Sequence, residues 1–74
     1  MKNEIENEVN QILNFSQRLF AKCQNMRDYE KVYEILTDLK NFMKKHGNLP
    51  QYTFYKSFVS LCEYEIQVRD CDEN

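Results

Sequence analysis

The apolar residues of this chain recur at spacings of three and four, which is the pattern of amphipathic helices. One such stripe covers residues 4–24 and a second covers residues 26–46. Asn25 lies between them and suits the N-cap of the second helix, because an asparagine side chain can accept a hydrogen bond from a first-turn N–H. The pattern therefore predicts two helices that fold back on each other at Asn25.

The only glycine and the only proline of the chain fall in one short segment, Gly47-Asn48-Leu49-Pro50. Glycine is the usual left-handed residue after a helix, and proline is favoured at the first position of the next one. We therefore predict a hinge here, followed by a third helix over residues 50–68. The expected fold is a single all-α domain over residues 1–74, a helical hairpin with a third helix added.

The third segment has two apolar faces instead of one. One face carries Tyr52, Tyr55, Phe58, Val59, Cys62 and Ile66, and the other carries Phe54, Leu61, Tyr64 and Val68. Together they cover about two thirds of the helix circumference, whereas a helix of a small bundle needs an apolar arc of only a little over ~100°. The surplus apolar surface has two explanations, deeper burial within the monomer or a second interface. We predict that the second face is a protein interface, either for a partner protein or for a second copy in a homodimer.

The last part of the chain contains a segment with two possible secondary structures, followed by a predicted tail. Residues 62–68 alternate apolar and polar side chains, as a half-buried strand also would. No other segment resembles a strand that could pair with them, so we predict a helix, and a strand here would need its mate in another copy of the chain. Residues 69–74 are predicted to form a disordered acidic tail.

The net charge is −2, but the lysines gather around the predicted hinge. Residues 40–56 contain no acid and carry Lys40, Lys44, Lys45 and Lys56. Lysines can contact phosphates, so the alternative function is a small nucleic-acid-associated transcription regulator. Without arginine they read bases poorly, and we expect no specific nucleic-acid site here. Sequence-selective duplex binding at physiological salt, lost in the double variant Lys44→Glu, Lys45→Glu, would contradict this expectation.

The residues that usually carry catalysis or hold metals are few and scattered. Cys23, Cys62 and Cys71 have no paired spacing, and the only histidine, His46, is distant from all of them in sequence. A single glycine cannot build a phosphate-binding loop. We therefore predict no cofactor, no metal and no enzymatic activity. Unpaired cysteines and the absence of an apolar run near ~20 residues favour a reducing, cytoplasmic location without a membrane span.

Two short segments resemble known regulators. Residues 35–50, with Lys45-His46-Gly47 followed by Pro50, resemble the first helix and turn of the LexA-type winged helix. That family continues with a short helix, a tight turn and a recognition helix, whereas residues 54–68 contain no turn signal. Residues 23–32 resemble the Hha/YmoA group of small helical modulators of nucleoid proteins. Both resemblances imply a small regulator and not a catalyst.

Taken together, these patterns predict a small helical interaction protein without enzymatic activity. We expect a regulator or inhibitor that binds a larger protein partner through the second face of helix 3. The chain is rich in Lys, Asn, Glu and Tyr and lacks Trp. This composition is compatible with a phage or another mobile element as the source, in which case the protein would act in the cytoplasm of a host cell.

Overall fold

The computed structural model describes residues 2–73, with the side chains of residues 3–71, and consists of three helices. These are α1 (Lys2–Ala21), α2 (Met26–Lys45) and α3 (Tyr52–Glu73). The described residues are 86% helical and contain no strand. The predicted all-α three-helix fold is therefore confirmed, and residues 62–68 are helical. Within the described part of the chain, no helix combines the length and apolar character needed to cross a membrane.

The turn between α1 and α2 is closed by two hydrogen bonds that both involve Asp28. The Asn25 side chain accepts from the Asp28 N–H at 3.0 Å, and the Asp28 carboxylate accepts from the Gln24 N–H at 3.2 Å. Asn25 is the N-cap of α2, as predicted. The Lys22 and Cys23 N–H groups donate to carbonyls three residues back, at 3.0 and 3.1 Å, and the Gln24 N–H donates to Asp28. Helix α1 therefore ends at Ala21, before the predicted end at residue 24.

The turn between α2 and α3 begins with a left-handed glycine. Gly47 has a φ of +89°, as the sequence predicts for the residue after the helix. Its N–H donates to the Lys44 carbonyl at 3.4 Å, and the N–H of His46, the C-cap, donates to the Phe42 carbonyl at 3.2 Å. These bonds satisfy carbonyls that the last turn of α2 would otherwise leave without donors.

The third helix begins two residues later than predicted, at Tyr52 and not at Pro50. The Tyr52 N–H donates to the Leu49 carbonyl at 3.0 Å, which closes a turn with Pro50 in its second position. Proline is favoured at that position because its fixed φ matches the turn. The first helical bond follows, from the Tyr55 N–H to the Gln51 carbonyl at 2.9 Å.

We expect Gly47→Val to lower the free energy of unfolding by about 1 kcal/mol, because a β-branched residue resists positive φ. A Cβ at Gly47 would meet no atom within 4 Å, so the cost is conformational and not steric. Gly47→Asn is the matched control, since asparagine enters the left-handed region more readily. Urea unfolding followed by circular dichroism measures both variants. An unchanged midpoint for Gly47→Val would contradict the strained turn.

Helix α2 is the centre of the fold, because it packs against both other helices while α1 and α3 contact each other least. The buried core consists of Val9 and Leu13 from α1, Val32, Leu36, Leu39 and Met43 from α2, Leu49 from the turn, and Tyr55, Phe58 and Cys62 from α3. Ser16 on α1 is also fully buried, and its hydroxyl makes no hydrogen bond to the described residues. On the inner face of α3, Tyr55, Phe58 and Cys62 are buried, and Tyr52, Val59 and Ile66 are half-buried.

The predicted disordered tail is wrong for residues 69–73, because α3 continues to Glu73. Val68 and Arg69 are half-buried, and the Arg69 guanidinium carbon lies 5.6 Å from the centre of the Tyr29 ring. This contact attaches the last turns of α3 to the beginning of α2 and supports the longer helix. Asn74, the last residue of the predicted tail, lies outside the described residues.

Candidate interaction surface

Helix α3 carries large apolar side chains on the face turned away from the core. Phe54 is 46% exposed, Leu61 48% and Tyr64 61%, whereas Val68 is half-buried. Their neighbours Phe58 and Cys62 belong to the core. Three of the four residues of the predicted interface thus lie in solvent, at the edge of a core that is complete without them.

These residues belong to a longer row along α3, which we call the outer row: Phe54, Ser57, Leu61, Tyr64, Val68 and Cys71. Its members are separated alternately by three and four residues, so they lie along one side of the helix. Ser57 and Cys71 are exposed as well. Ser57 belongs to neither predicted apolar face and Cys71 to the predicted tail, although both continue the three-and-four spacing of the four apolar residues.

An apolar groove lies beside the outer row, between α1 and α3. Its volume is about 340 Å³, and it is lined by Gln17, Phe20, Phe54, Ser57, Phe58 and Leu61. The Phe20 and Phe58 rings meet edge to face with centroids 5.6 Å apart, and they join the two helices there. The small Ser57 side chain lies between two large neighbours of the outer row, so the row itself borders a concave surface.

A second apolar groove, absent from the sequence analysis, lies between α1 and α2. It has a volume of about 400 Å³ and is lined by Ile12, Phe15, Ile35, Asp38, Leu39 and Phe42. Phe15 is 49% exposed there. Only this one large apolar side chain of α1 lies in solvent, whereas the outer row of α3 presents several in succession. The α3 surface is therefore the stronger candidate.

The four hinge lysines are exposed but do not form one basic surface. Lys40 and Lys56 line a groove between α2 and α3 together with Glu63, and the Lys56 ammonium lies 4.9 Å from the centre of the Tyr52 ring. Lys44 and Lys45 lie in the last turn of α2. The carboxylate of Glu63 in the same groove opposes phosphate binding there.

The three cysteines are free thiols. Cys62 is fully buried, and burial raises the pKa of its thiol to about 12, with smaller effects from Cys23 and from acidic neighbours. Burial also raises the pKa of the Cys23 thiol, which donates to the Leu19 carbonyl at 3.3 Å. The His46 ring lies against the Phe42 ring, with centroids 4.4 Å apart. Among the described residues, no group of three or more His, Cys, Asp or Glu side chains could hold a metal ion.

In comparisons with protein-family models, with curated proteins and with solved structures, nothing matches this chain. Inferences about its function therefore depend on its own residues. Of the surfaces described above, the outer row and the adjoining groove combine the largest exposed apolar side chains with a concave shape. Such surfaces on small domains commonly bind proteins.

Proposed function

We propose that this chain is a small non-enzymatic interaction protein, a regulator or inhibitor that acts by binding a protein through the outer row of α3. The observation that carries the proposal is the exposure of Phe54, Leu61 and Tyr64 on one side of a helix whose other side is buried. A monomer does not need these side chains for its core. Large exposed apolar patches are otherwise a liability for solubility, so a binding role explains them.

The chemistry of the outer row suits a protein partner. Aromatic side chains contribute a disproportionate share of interface energy, because they bury a large area for few rotatable bonds. They also stand on a helix that is ordered before binding, which lowers the entropy cost of association. The nucleic-acid alternative has less support, because the lysines are divided between two places and one pair shares its groove with Glu63.

Capture experiments with matched charge variants test this function. Leu61→Glu places a charge in the outer row, and Ser60→Glu places the same charge on the neighbouring residue, which lines the groove between α2 and α3. We expect wild type and Ser60→Glu to capture the same partner from cells that carry the gene. Leu61→Glu should retain less than about a tenth of it, since a buried unpaired charge is costly.

Circular dichroism must show equal helix content for the three proteins, so that loss of binding reports on the surface and not on folding. The prey should include both cellular proteins and an untagged second copy of this chain. If Leu61→Glu captures every prey as well as wild type does, the outer row is not the binding surface and the proposed function is wrong.

A further inference from the structure

We propose that the outer row forms the seam of a homodimer in which α3 packs antiparallel against the partner's α3. This inference rests on the proposed function and names the partner as a second copy of the chain. The first support is the spacing. Alternation of three and four residues from Phe54 to Cys71 is the a/d pattern of coiled coils, which keeps six positions on one line over about 26 Å of helix.

The second support is a preformed hole for an incoming side chain. In coiled coils, each knob of one helix inserts among four residues of the other, at positions i, i+3, i+4 and i+7. The groove beside α1 is lined by four α3 residues with this relation: Phe54, Ser57, Phe58 and Leu61. Ser57 leaves depth between the larger side chains, and Gln17 and Phe20 of α1 form the far wall. The hole is apolar and open to solvent.

The third support is the match of side-chain sizes, which selects the antiparallel direction. Aligning the two rows in opposite directions places Phe54 against the partner's Cys71, Ser57 against the partner's Val68, and Leu61 against the partner's Tyr64. The partner's Val68 is then the knob that enters the hole above Ser57. A parallel alignment would instead pair Phe54 with the partner's Phe54 and Ser57 with the partner's Ser57. The first pair would be crowded, and the second would leave the hole above Ser57 empty.

Charge favours the same direction. The beginning of α3 carries Lys56 and lies next to the basic end of α2, whereas the second half of α3 carries Glu63, Glu65 and Asp70 against Arg69 alone. Antiparallel packing places each acidic half beside the basic end of the other copy. Parallel packing would place like charges together. Lys56 and Glu63 line the groove between α2 and α3 and not the seam, so these charges act at a distance. They favour this orientation without making contacts that add affinity.

Sedimentation equilibrium tests the association. With rising concentration, the mass of the wild-type protein should increase from the 9.0 kDa of one chain towards twice that value. Ser60→Glu should behave as wild type, and Leu61→Glu should remain at the mass of one chain. A wild-type mass that stays at 9.0 kDa throughout, or a dimer that survives Leu61→Glu, overturns the inference. Capture of another protein through the outer row would then still support the proposed function.

Disulfide cross-linking tests the direction. Antiparallel packing places Phe54→Cys opposite the partner's Cys71, so mild oxidation with diamide should give a covalent dimer on a non-reducing gel. Two thiols form the S–S bond, and diamide takes up the two electrons and two protons that they lose. The double variant Phe54→Cys, Cys71→Ser should not cross-link. Wild type should not either, because its two Cys71 thiols lie at opposite ends of a seam about 26 Å long.

Two other cross-linking results would contradict antiparallel packing. Cross-linking of wild type through Cys71, or of the double variant through the two introduced thiols, would show parallel packing and overturn the inference. If Phe54→Cys weakens association in the sedimentation experiment, a double variant that carries both Ser57→Cys and Val68→Cys takes its place in the cross-linking experiment. These two positions also lie opposite each other in the antiparallel alignment, and absence of a cross-link there contradicts the proposed packing.

Discussion

Replacing Leu36 with alanine is expected to lower the free energy of unfolding by about 3 kcal/mol. Leu36 is 1% exposed and lies in the middle of α2, the helix that packs against both others. The variant loses the transfer free energy of the removed carbon atoms and leaves a cavity that its neighbours fill only in part. Single domains are stable by only ~5–15 kcal/mol, and a domain this small lies near the lower limit, so the loss is severe.

Leu61→Ala is the matched control for Leu36→Ala, since it removes the same atoms from a side chain that is 48% exposed. Its effect should stay below about 1 kcal/mol at a protein concentration low enough to keep the chain monomeric. Urea unfolding followed by circular dichroism gives both values. Equal losses for the two variants would mean that the two leucines have similar surroundings, which is contrary to the structure.

The second large effect is expected for Phe58→Ala, at about 3 kcal/mol. Phe58 is buried, and its edge-to-face contact with Phe20 links α1 to α3, the two helices that otherwise contact each other least. Loss of this ring should therefore loosen α1 from α3. A double-mutant cycle with Phe20→Ala should give a coupling energy of about 0.5–1.5 kcal/mol, the range for aromatic pairs.

Phe54→Ala is the control for Phe58→Ala, because it removes the same ring one turn earlier from the exposed side of α3. Both variants replace phenylalanine by alanine in α3, and the two rings are neighbours, with centroids 6.3 Å apart. We expect the Phe54→Ala loss to be less than half as large. A coupling energy near zero between Phe20 and Phe58 in the double-mutant cycle would contradict the claim that this ring pair links α1 to α3.

Two helix boundaries were predictable from the sequence, because the residue types found there have well-known capping roles. Asn25 and Gly47 act through their own side chain or backbone, and both have the predicted roles. The end of α1 depends on Asp28 reaching back to Gln24, and the length of α3 depends on the contact between Arg69 and Tyr29. The apolar periodicity shows neither contact, because Asp28 and Gln24 are linked through polar groups and Arg69 and Tyr29 are far apart in sequence. Both boundaries therefore differ from the predicted ones.

The candidate surface was predictable in part. Helical spacing alone placed Phe54, Leu61, Tyr64 and Val68 on one side of the third helix, and their role as an interface stays a prediction. The groove was not predictable, because its far wall comes from α1. Leu49 was missed as a core residue because it lies in a turn, where no periodicity separates buried from exposed positions.

Helix α3 has two apolar faces, of which the monomer buries one in its core. Equilibrium unfolding of Leu61→Glu and Cys62→Glu at low protein concentration tests this arrangement most directly, because the two neighbouring residues point to different faces. Leu61→Glu should keep its helix content and stay within about 1 kcal/mol of the wild-type free energy of unfolding, whereas Cys62→Glu, which places a charge in the core, should unfold. If Leu61→Glu unfolds the monomer as well, Leu61 is an ordinary core residue and the second face does not exist.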